Sequence, residues 1–231
     1  MSYAFHFPSP PLSSHTTSTG GITIRSHPRQ DWWRTPPPTR VERAEGPFYC
    51  RRISATSPRW RFSAWITSDY TVQYDQAGVL LFAGRPAEQD AHWIKAGVEM
   101  EHGATFLACV TSAPWSDFST SPSPSPSPIT PTQAVFIQLT RNTTEIGDTI
   151  VIKYYLSPPA VADDEDRHRT DPSWLPDDKD LVQLREIPAF NVLPDGSRRQ
   201  TDEWYVGVMT CGPKNDEGTQ ATFEALRFEE F

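Results

Sequence analysis

Along this chain, apolar and polar residues alternate far more often than they recur at helical spacing. Residues 92–101, His-Trp-Ile-Lys-Ala-Gly-Val-Glu-Met-Glu, carry the sharpest instance. Successive side chains of a strand point to opposite faces. Ile94, Ala96, Val98 and Met100 therefore share one uniformly apolar face. Trp93, Lys95, Gly97 and Glu99 share the other, which holds an aromatic plane, a cation, a gap and a carboxylate. Residues 59–67 repeat the pattern, with Trp60, Phe62, Ala64 and Ile66 on one side. Further strands are predicted at 21–25, 47–53, 74–83, 104–112, 134–142, 149–157, 181–187, 204–211 and 220–228. Turn residues separate them, and Thr144-Glu-Ile-Gly-Asp148 is a hairpin signal. Such a series, with no convincing helical period, predicts an all-β fold: a jelly-roll β-sandwich of two antiparallel sheets.

Three stretches break the alternation. Residues 1–18 are rich in Ser, Thr and Pro and predict a flexible N-terminal arm, although Tyr3, Phe5 and Phe7 alternate and would suit an added edge strand. Residues 119–132 are Ser-Pro repeats, which lack apolar anchors and favour an extended polyproline conformation. Residues 161–180 are polar and acidic around Asp163-Asp-Glu-Asp166. The expected organisation is one sandwich domain over 19–231, with insertions at 119–132 and 161–180.

Composition narrows the function classes. The formal charge is −8 and the pI near 5.2. A general nucleic-acid surface is excluded, because phosphate neutralisation needs clustered Lys and Arg. The basic-aromatic run from Arg51 to Arg61 alternates like a solvated strand face. No window approaches 18 apolar residues and no leader pattern opens the chain, so no membrane association and no secretion are expected. Without secretion, the sequon Asn142-Thr-Thr144 means little. Cys50, Cys109 and Cys211 are odd in number and widely spaced, which suits reduced thiols in a cytoplasmic protein better than a disulfide framework or zinc site. Cys211 reads as a small buried hydrophobe rather than a nucleophile. His92 and His102 are too far apart to share a metal with Asp90, and Asp163 to Asp166 lack the spacing of a calcium loop. No metal and no cofactor are expected.

Several local strings occur together and in order: Asp31-Trp-Trp-Arg-Thr35, Tyr74-Asp-Gln-Ala-Gly78, Trp93-Ile-Lys-Ala-Gly-Val-Glu99, Trp115-Ser-Asp117 and Val206-Gly-Val-Met-Thr-Cys-Gly-Pro213, with Phe223 in the last strand. Together they resemble a domain family of unknown function typified by the yeast "regulation of enolase protein 1". The resemblance covers roughly residues 20–231. It implies a jelly roll of the concanavalin A-like lectin/glucanase superfamily and a link to glycolytic regulation, without a molecular mechanism. Fold kinship to glucanases does not itself confer glucanase activity.

The candidate chemistry lies on the mixed face of residues 92–101. A Trp beside paired charges suits a sugar ring or another polar small molecule, although the same pattern fits an amphipathic strand whose Trp packs on its neighbours. A ligand groove is expected to use Trp93, Lys95 and Glu99, joined by Asp75 and Gln76, by Trp33 and Arg34, and by Trp115 and Asp117. Arg34 offers planar bidentate donors to an anion, and a Trp in the 115–117 loop suits ring stacking. Asp75 also fits a turn cap or an ion pair with Lys95 or Arg34. Glycoside hydrolysis would need two carboxylates about 5 to 9.5 Å apart. The available pairs are Glu99 with Glu101, about 6.6 Å apart along a strand, and Glu99 with Asp75. Beside Lys95, Glu99 is expected to stay ionised, which suits a general base in an isomerase or cyclase better than a general acid. Three readings are open: a non-catalytic module binding a carbohydrate-like or anionic small molecule, an enzyme on the same face with Glu99, Lys95 and Asp75 as candidate catalytic groups, and a scaffold that meets a protein partner through its insertions.

Overall fold

The computed structural model describes residues 2–84, 91–121, 129, 133–157, 174–193, 195–197 and 203–231. Two seven-stranded antiparallel sheets stack on one another. The first runs, edge to edge, β1 (Ala4–Phe7), β6 (Phe48–Ser54), β15 (Glu203–Cys211), β8 (Gln76–Ala83), β9 (His92–Glu101), β10 (Ala104–Ser112) and β11 (Ser116–Ser121). The second runs β14 (Val182–Ile187), β13 (Gly147–Leu156), β12 (Val135–Thr144), β7 (Arg59–Ser68), β16 (Gln220–Glu230), β3 (Ile22–Arg25) and β2 (Ser13–Thr16). A separate hairpin joins β4 (Trp32–Arg34) to β5 (Glu42–Ala44). The one helical piece among the described residues is a 3-10 turn, Asp178–Asp180.

The alternation sets the layers. Ile94, Ala96 and Val98 of β9 meet Trp60, Phe62, Ala64 and Ile66 of β7 in the core between the sheets. Dozens of such side chains leave water together, and each fully buried Ile, Leu or Phe stabilises by roughly 1.5–3 kcal/mol. Register is strict because a one-residue slip would turn Lys95 and Glu99 into that core. Tight turns hold it. β9 and β10 join through His102 and Gly103, both at positive φ, the geometry of a two-residue hairpin whose twist matches the strands. The expected hairpin after residue 144 forms as β12 pairs with β13 out to Thr144 opposite Gly147.

Several expectations need correction. The N-terminal segment is not a loose arm: β1 adds to β6, and β2 adds to β3 at an edge of the other sheet. Tyr3 stacks on Tyr49 at 5.8 Å and packs against the core, so the alternation of residues 3–7 marks an edge strand. Residues 119–121 belong to β11 and pair with β10 rather than opening a protruding tract. The rest of the Ser-Pro run, apart from Ile129, lies outside the described residues, as does 161–173 of the acidic segment. The end of that segment does not protrude. Trp174 lies on the outer face of the second sheet, where Trp65 Nε1 donates to its carbonyl at 2.8 Å.

Candidate ligand-binding groove

β8 and β9 are buried on both faces over most of their length. One face belongs to the core between the sheets. The other is covered by the β4–β5 hairpin, which crosses the outer side of the first sheet and seals a second apolar core. Trp32 is its centre, meeting Trp93 edge-on at 5.8 Å, Phe82 at 6.1 Å and Phe48 at 6.2 Å. Cys50, Leu80, Met209 and Cys211 fill in around them. This corrects the expectation for Trp93: its ring is 0% exposed and buried in the second core, not presented to a ligand.

Where the hairpin cover ends, a groove of about 510 Å³ opens on the same face. Its floor is Gln76, Lys95, Glu99 and Val110, all buried. Its walls are Asp31, Trp33 and Arg43 from the hairpin side, Phe118 of β11, Tyr74, Glu101 and Pro213, with Val41 and Lys214 exposed at the rim. Trp33 and Phe118 meet edge-on at 6.4 Å and form one aromatic wall. Tyr74 is held at φ +69, a backbone conformation uncommon for non-glycine residues. Its N–H donates to the Met100 carbonyl at 2.7 Å, which pins the segment carrying the ring to β9.

Between Lys95 and Glu99 the floor is bare backbone. Gly97 faces Gly78 across the sheet and Ala108 on the other side. A Cβ on Gly97 would lie 2.0 Å from the Ala77 carbonyl oxygen, so the close approach requires glycine. The recess above it has about 10 Å³ of free volume, room for one water or a ligand hydroxyl.

The charges on the floor are unequally engaged. Lys95 Nζ donates to Gln76 Oε1 and lies 3.9 Å from Asp31 Oδ1. Asp31 also accepts from the Trp32 N–H at 2.8 Å, which fixes it at the entry to β4. Glu99 is 7% exposed and has no hydrogen bond or ion pair among the described residues. Burial is the main influence on its carboxyl and pushes it up to about 7. Lys95 opposes the rise, while Asp31 and Glu101 add to it. The expectation that Lys95 keeps Glu99 ionised therefore fails, because burial outweighs the opposing pull of Lys95. Near neutrality Glu99 divides between acid and base.

Other expected site residues lie elsewhere. Asp75 is wholly buried and its carboxylate is committed. It accepts from the N–H groups of Thr71 (3.1 Å) and Val72 (2.9 Å), from Asn215 Nδ2 (2.9 Å) and from Thr219 Oγ1 (2.6 Å). It caps a turn and ties β8 to the segment before β16, so the Glu99–Asp75 carboxylate pair is removed. Arg34 is buried and clamps the hairpin down: Nη1 donates to the carbonyls of Ala91 (3.0 Å) and Pro114 (3.3 Å), and Nη2 lies 3.7 Å from Glu42. Trp115 is exposed but is not among the groove residues. Asp117 pairs with Arg185, joining edge strand β11 to β14 of the other sheet.

Of the expected residues, the groove brings together Trp33, Gln76, Lys95 and Glu99. Asp31, Arg43, Tyr74, Phe118 and Lys214 were missed. Asp31 and Tyr74 stand in the shared motif strings. The others carry no local mark, and the hairpin itself is hidden in a proline-rich stretch. One signal for it exists. Val79-Leu-Leu-Phe82 does not alternate, which demands cover on both faces of β8.

The thiols take no part: burial pushes Cys50 up to about 12, Cys109 to about 11 and Cys211 well above its ordinary value. Among the described residues no group of three or more His, Cys, Asp or Glu could hold a metal ion, and no helix is long and apolar enough to cross a membrane.

No curated protein sequence matches this chain. Among solved structures it is similar to a functionally unknown protein from Saccharomyces cerevisiae, at 19% identity with a TM-score of 0.65, over 96% of this chain and 93% of that one. It is also similar to a xylan β-1,4-xylosidase from Bacillus halodurans, at 12% identity with a TM-score of 0.59, over 91% of this chain but 33% of the enzyme. A GH43 protein from Bacillus licheniformis gives 11% identity and a TM-score of 0.56, again over 33% of its length. At these identities the likeness shows a shared β-sandwich, and this chain spans only a third of either of those two proteins. The family described as "Protein of unknown function (DUF1349)" matches residues 8–156, well over half of the chain, and the protein belongs to that family.

Proposed function

We propose that this protein is a non-catalytic ligand-binding or regulatory module whose groove takes a carbohydrate-like or anionic small molecule. The observation that carries the reading is Glu99: a residue over nine-tenths buried, whose carboxyl has no partner among the described residues, on the floor of a groove walled by Trp33 and Phe118. A buried polar group without a hydrogen bond costs free energy that a ligand hydroxyl would recover. Trp33 and Phe118 supply flat apolar surface for a ring, and Lys95 supplies a donor beside it. Three reduced, buried thiols suit a cytoplasmic protein.

Thermal-shift measurement against a panel of sugars and their acidic derivatives tests the reading. A ligand at 100 times its Kd should stabilise by about 2.7 kcal/mol. Trp33→Ala and Glu99→Gln should each remove most of that. No stabilisation by any member, or equal stabilisation of both variants, would end it.

One observation favours a second reading. A carboxyl titrating near 7 beside a Lys is matched to general acid-base work at neutral pH. In that case the groove turns over a ligand, and Glu99→Gln abolishes turnover while binding persists.

A further inference from the structure

Six charged side chains line the groove, and what engages each of them changes from floor to rim. Lys95 on the floor and Asp31 on the wall beside it are occupied with Gln76 and with one another. Glu99 is not occupied, and Glu101, two residues along the same strand face, adds a second acceptor without an ion pair among the described residues. At the rim the free groups are cations. Arg43 Nη1 donates to the Arg29 carbonyl at 3.2 Å and has no carboxylate within ion-pair reach among the described residues. Lys214 Nζ lies 4.7 Å from the centre of the Tyr74 ring and likewise has no carboxylate partner among them.

The two cations share one rim. The Arg29 backbone N–H donates to the Asn215 carbonyl at 3.1 Å, and the Arg29 guanidinium holds Asp216 at 2.6 Å. Arg43 is thus tethered to the same 213–217 loop that carries Lys214. Both cations stand at this one opening, above two carboxyls, Glu99 and Glu101, that also have no ion pair among the described residues. Acceptors below and cations above describe a ligand with donors at one end and negative charge at the other.

We infer that the groove selects an acidic sugar: a hydroxylated ring that donates to Glu99 on the floor and Glu101 on the wall and places a carboxylate or phosphate between Arg43 and Lys214 at the opening. The ring lies against Trp33 and Phe118, and one hydroxyl enters the recess over Gly97. This rests on the ligand-binding reading above and sharpens it by fixing which end of the ligand is charged. Charge-assisted hydrogen bonds from Arg and Lys are about twice as strong as neutral ones, and Arg favours planar oxyanions.

Calorimetric titration of the full chain decides it. The probes are glucose and xylose, glucuronate, glucose 6-phosphate, and inorganic phosphate alone. The acidic sugars should bind at least roughly tenfold more tightly than the neutral ones. The gap should narrow at high salt, because rim charges are screened. Arg43→Gln with Lys214→Gln should bring the acidic sugars down to the neutral-sugar level, its thermal melt without ligand serving as the control for folding. Glu99→Gln should weaken every sugar and leave phosphate alone unaffected. Equal binding of neutral and acidic sugars overturns the inference and leaves the ligand-binding reading standing. Phosphate binding as tightly as glucose 6-phosphate overturns it in favour of a plain anion site. No binding by any probe overturns both. A preference for glucuronate over glucose 6-phosphate, or the reverse, supports it and assigns the acidic group.

Discussion

Trp32 and Trp174 hold corresponding posts on the two outer faces of the sandwich. Each lies in a segment that packs over a sheet, and each ring meets the sheet's own aromatics. On the second sheet the cover closes. Trp174 lies 6.0 Å from Trp65, tilted to it, and meets Tyr155 edge-on at 5.6 Å. Beyond it Asp178 takes Lys153 at 3.2 Å, Arg61 at 3.8 Å and a donor from Gln138 at 3.4 Å. Burial alone would raise its carboxyl, but the hydrogen bonds from Lys153 and Gln138 hold it below the ordinary range. On the first sheet Trp32 seals only part of the face. Among the described residues, the uncovered part holds a carboxyl that no donor satisfies and two cations that no carboxylate neutralises. On the second face Asp178 gathers Lys153 and Arg61 into one cluster. The other leaves Glu99, Arg43 and Lys214 without ion pairs among the described residues.

The largest test of this contrast is the pair of caps themselves. Trp32→Ala should cost about 3–5 kcal/mol, because the ring is fully buried at the centre of the second core. Trp174→Ala should cost roughly half as much, since its ring is only half-buried. Denaturant unfolding of both variants measures this. Equal losses would mean that the two covers do the same work.

The next effect separates the two faces by the sign of their pH dependence. Glu99 has its carboxyl raised in the folded state from 4.5 to about 7. Its contribution is fully present below pH 4.5 and is lost as pH rises through 7. Glu99→Gln should flatten stability across that window and exceed the native protein above pH 7 by on the order of 2–3 kcal/mol. The groups facing Glu99 are Lys95 and Glu101 on its own strand and Asp31 from the hairpin side, so Asp31→Asn should lower its titration point. Asp178 behaves oppositely: its contribution is present above the ordinary carboxylate range and is lost as pH falls through its depressed value. A Glu99→Gln protein that parallels the native pH curve would return Glu99 to an ordinary surface carboxylate.

The smallest effect is Asp178→Asn. The group is more than half exposed, so its ion pairs should contribute no more than about 1 kcal/mol and should fade in high salt. A larger, salt-insensitive loss would mean that the second face is held by charge rather than by its rings.

Alternation along single strands is a local property, and its consequences were legible in the sequence. The two-sheet sandwich, the inner faces of β7 and β9, and the presence of Lys95, Gly97 and Glu99 together on one outward face all came from residues two apart. Gln76 and Trp33 were found through their motif strings. Which side chains that outward face shows to a ligand depended on the cover, and the cover comes from a hairpin far earlier in the chain. Trp93 and Trp33 cannot be ranked for exposure until the β4–β5 hairpin lands on one and leaves the other at the rim. Asp75 and Arg34 have charge patterns as suggestive as those of Glu99. Only folding brings Asn215 and Thr219 to the first, and the Ala91 and Pro114 carbonyls to the second. The protonation of Glu99 was decided last of all. It reflects how little water reaches the floor and where Lys95 points, and both are set by packing across strands rather than by sequence neighbours.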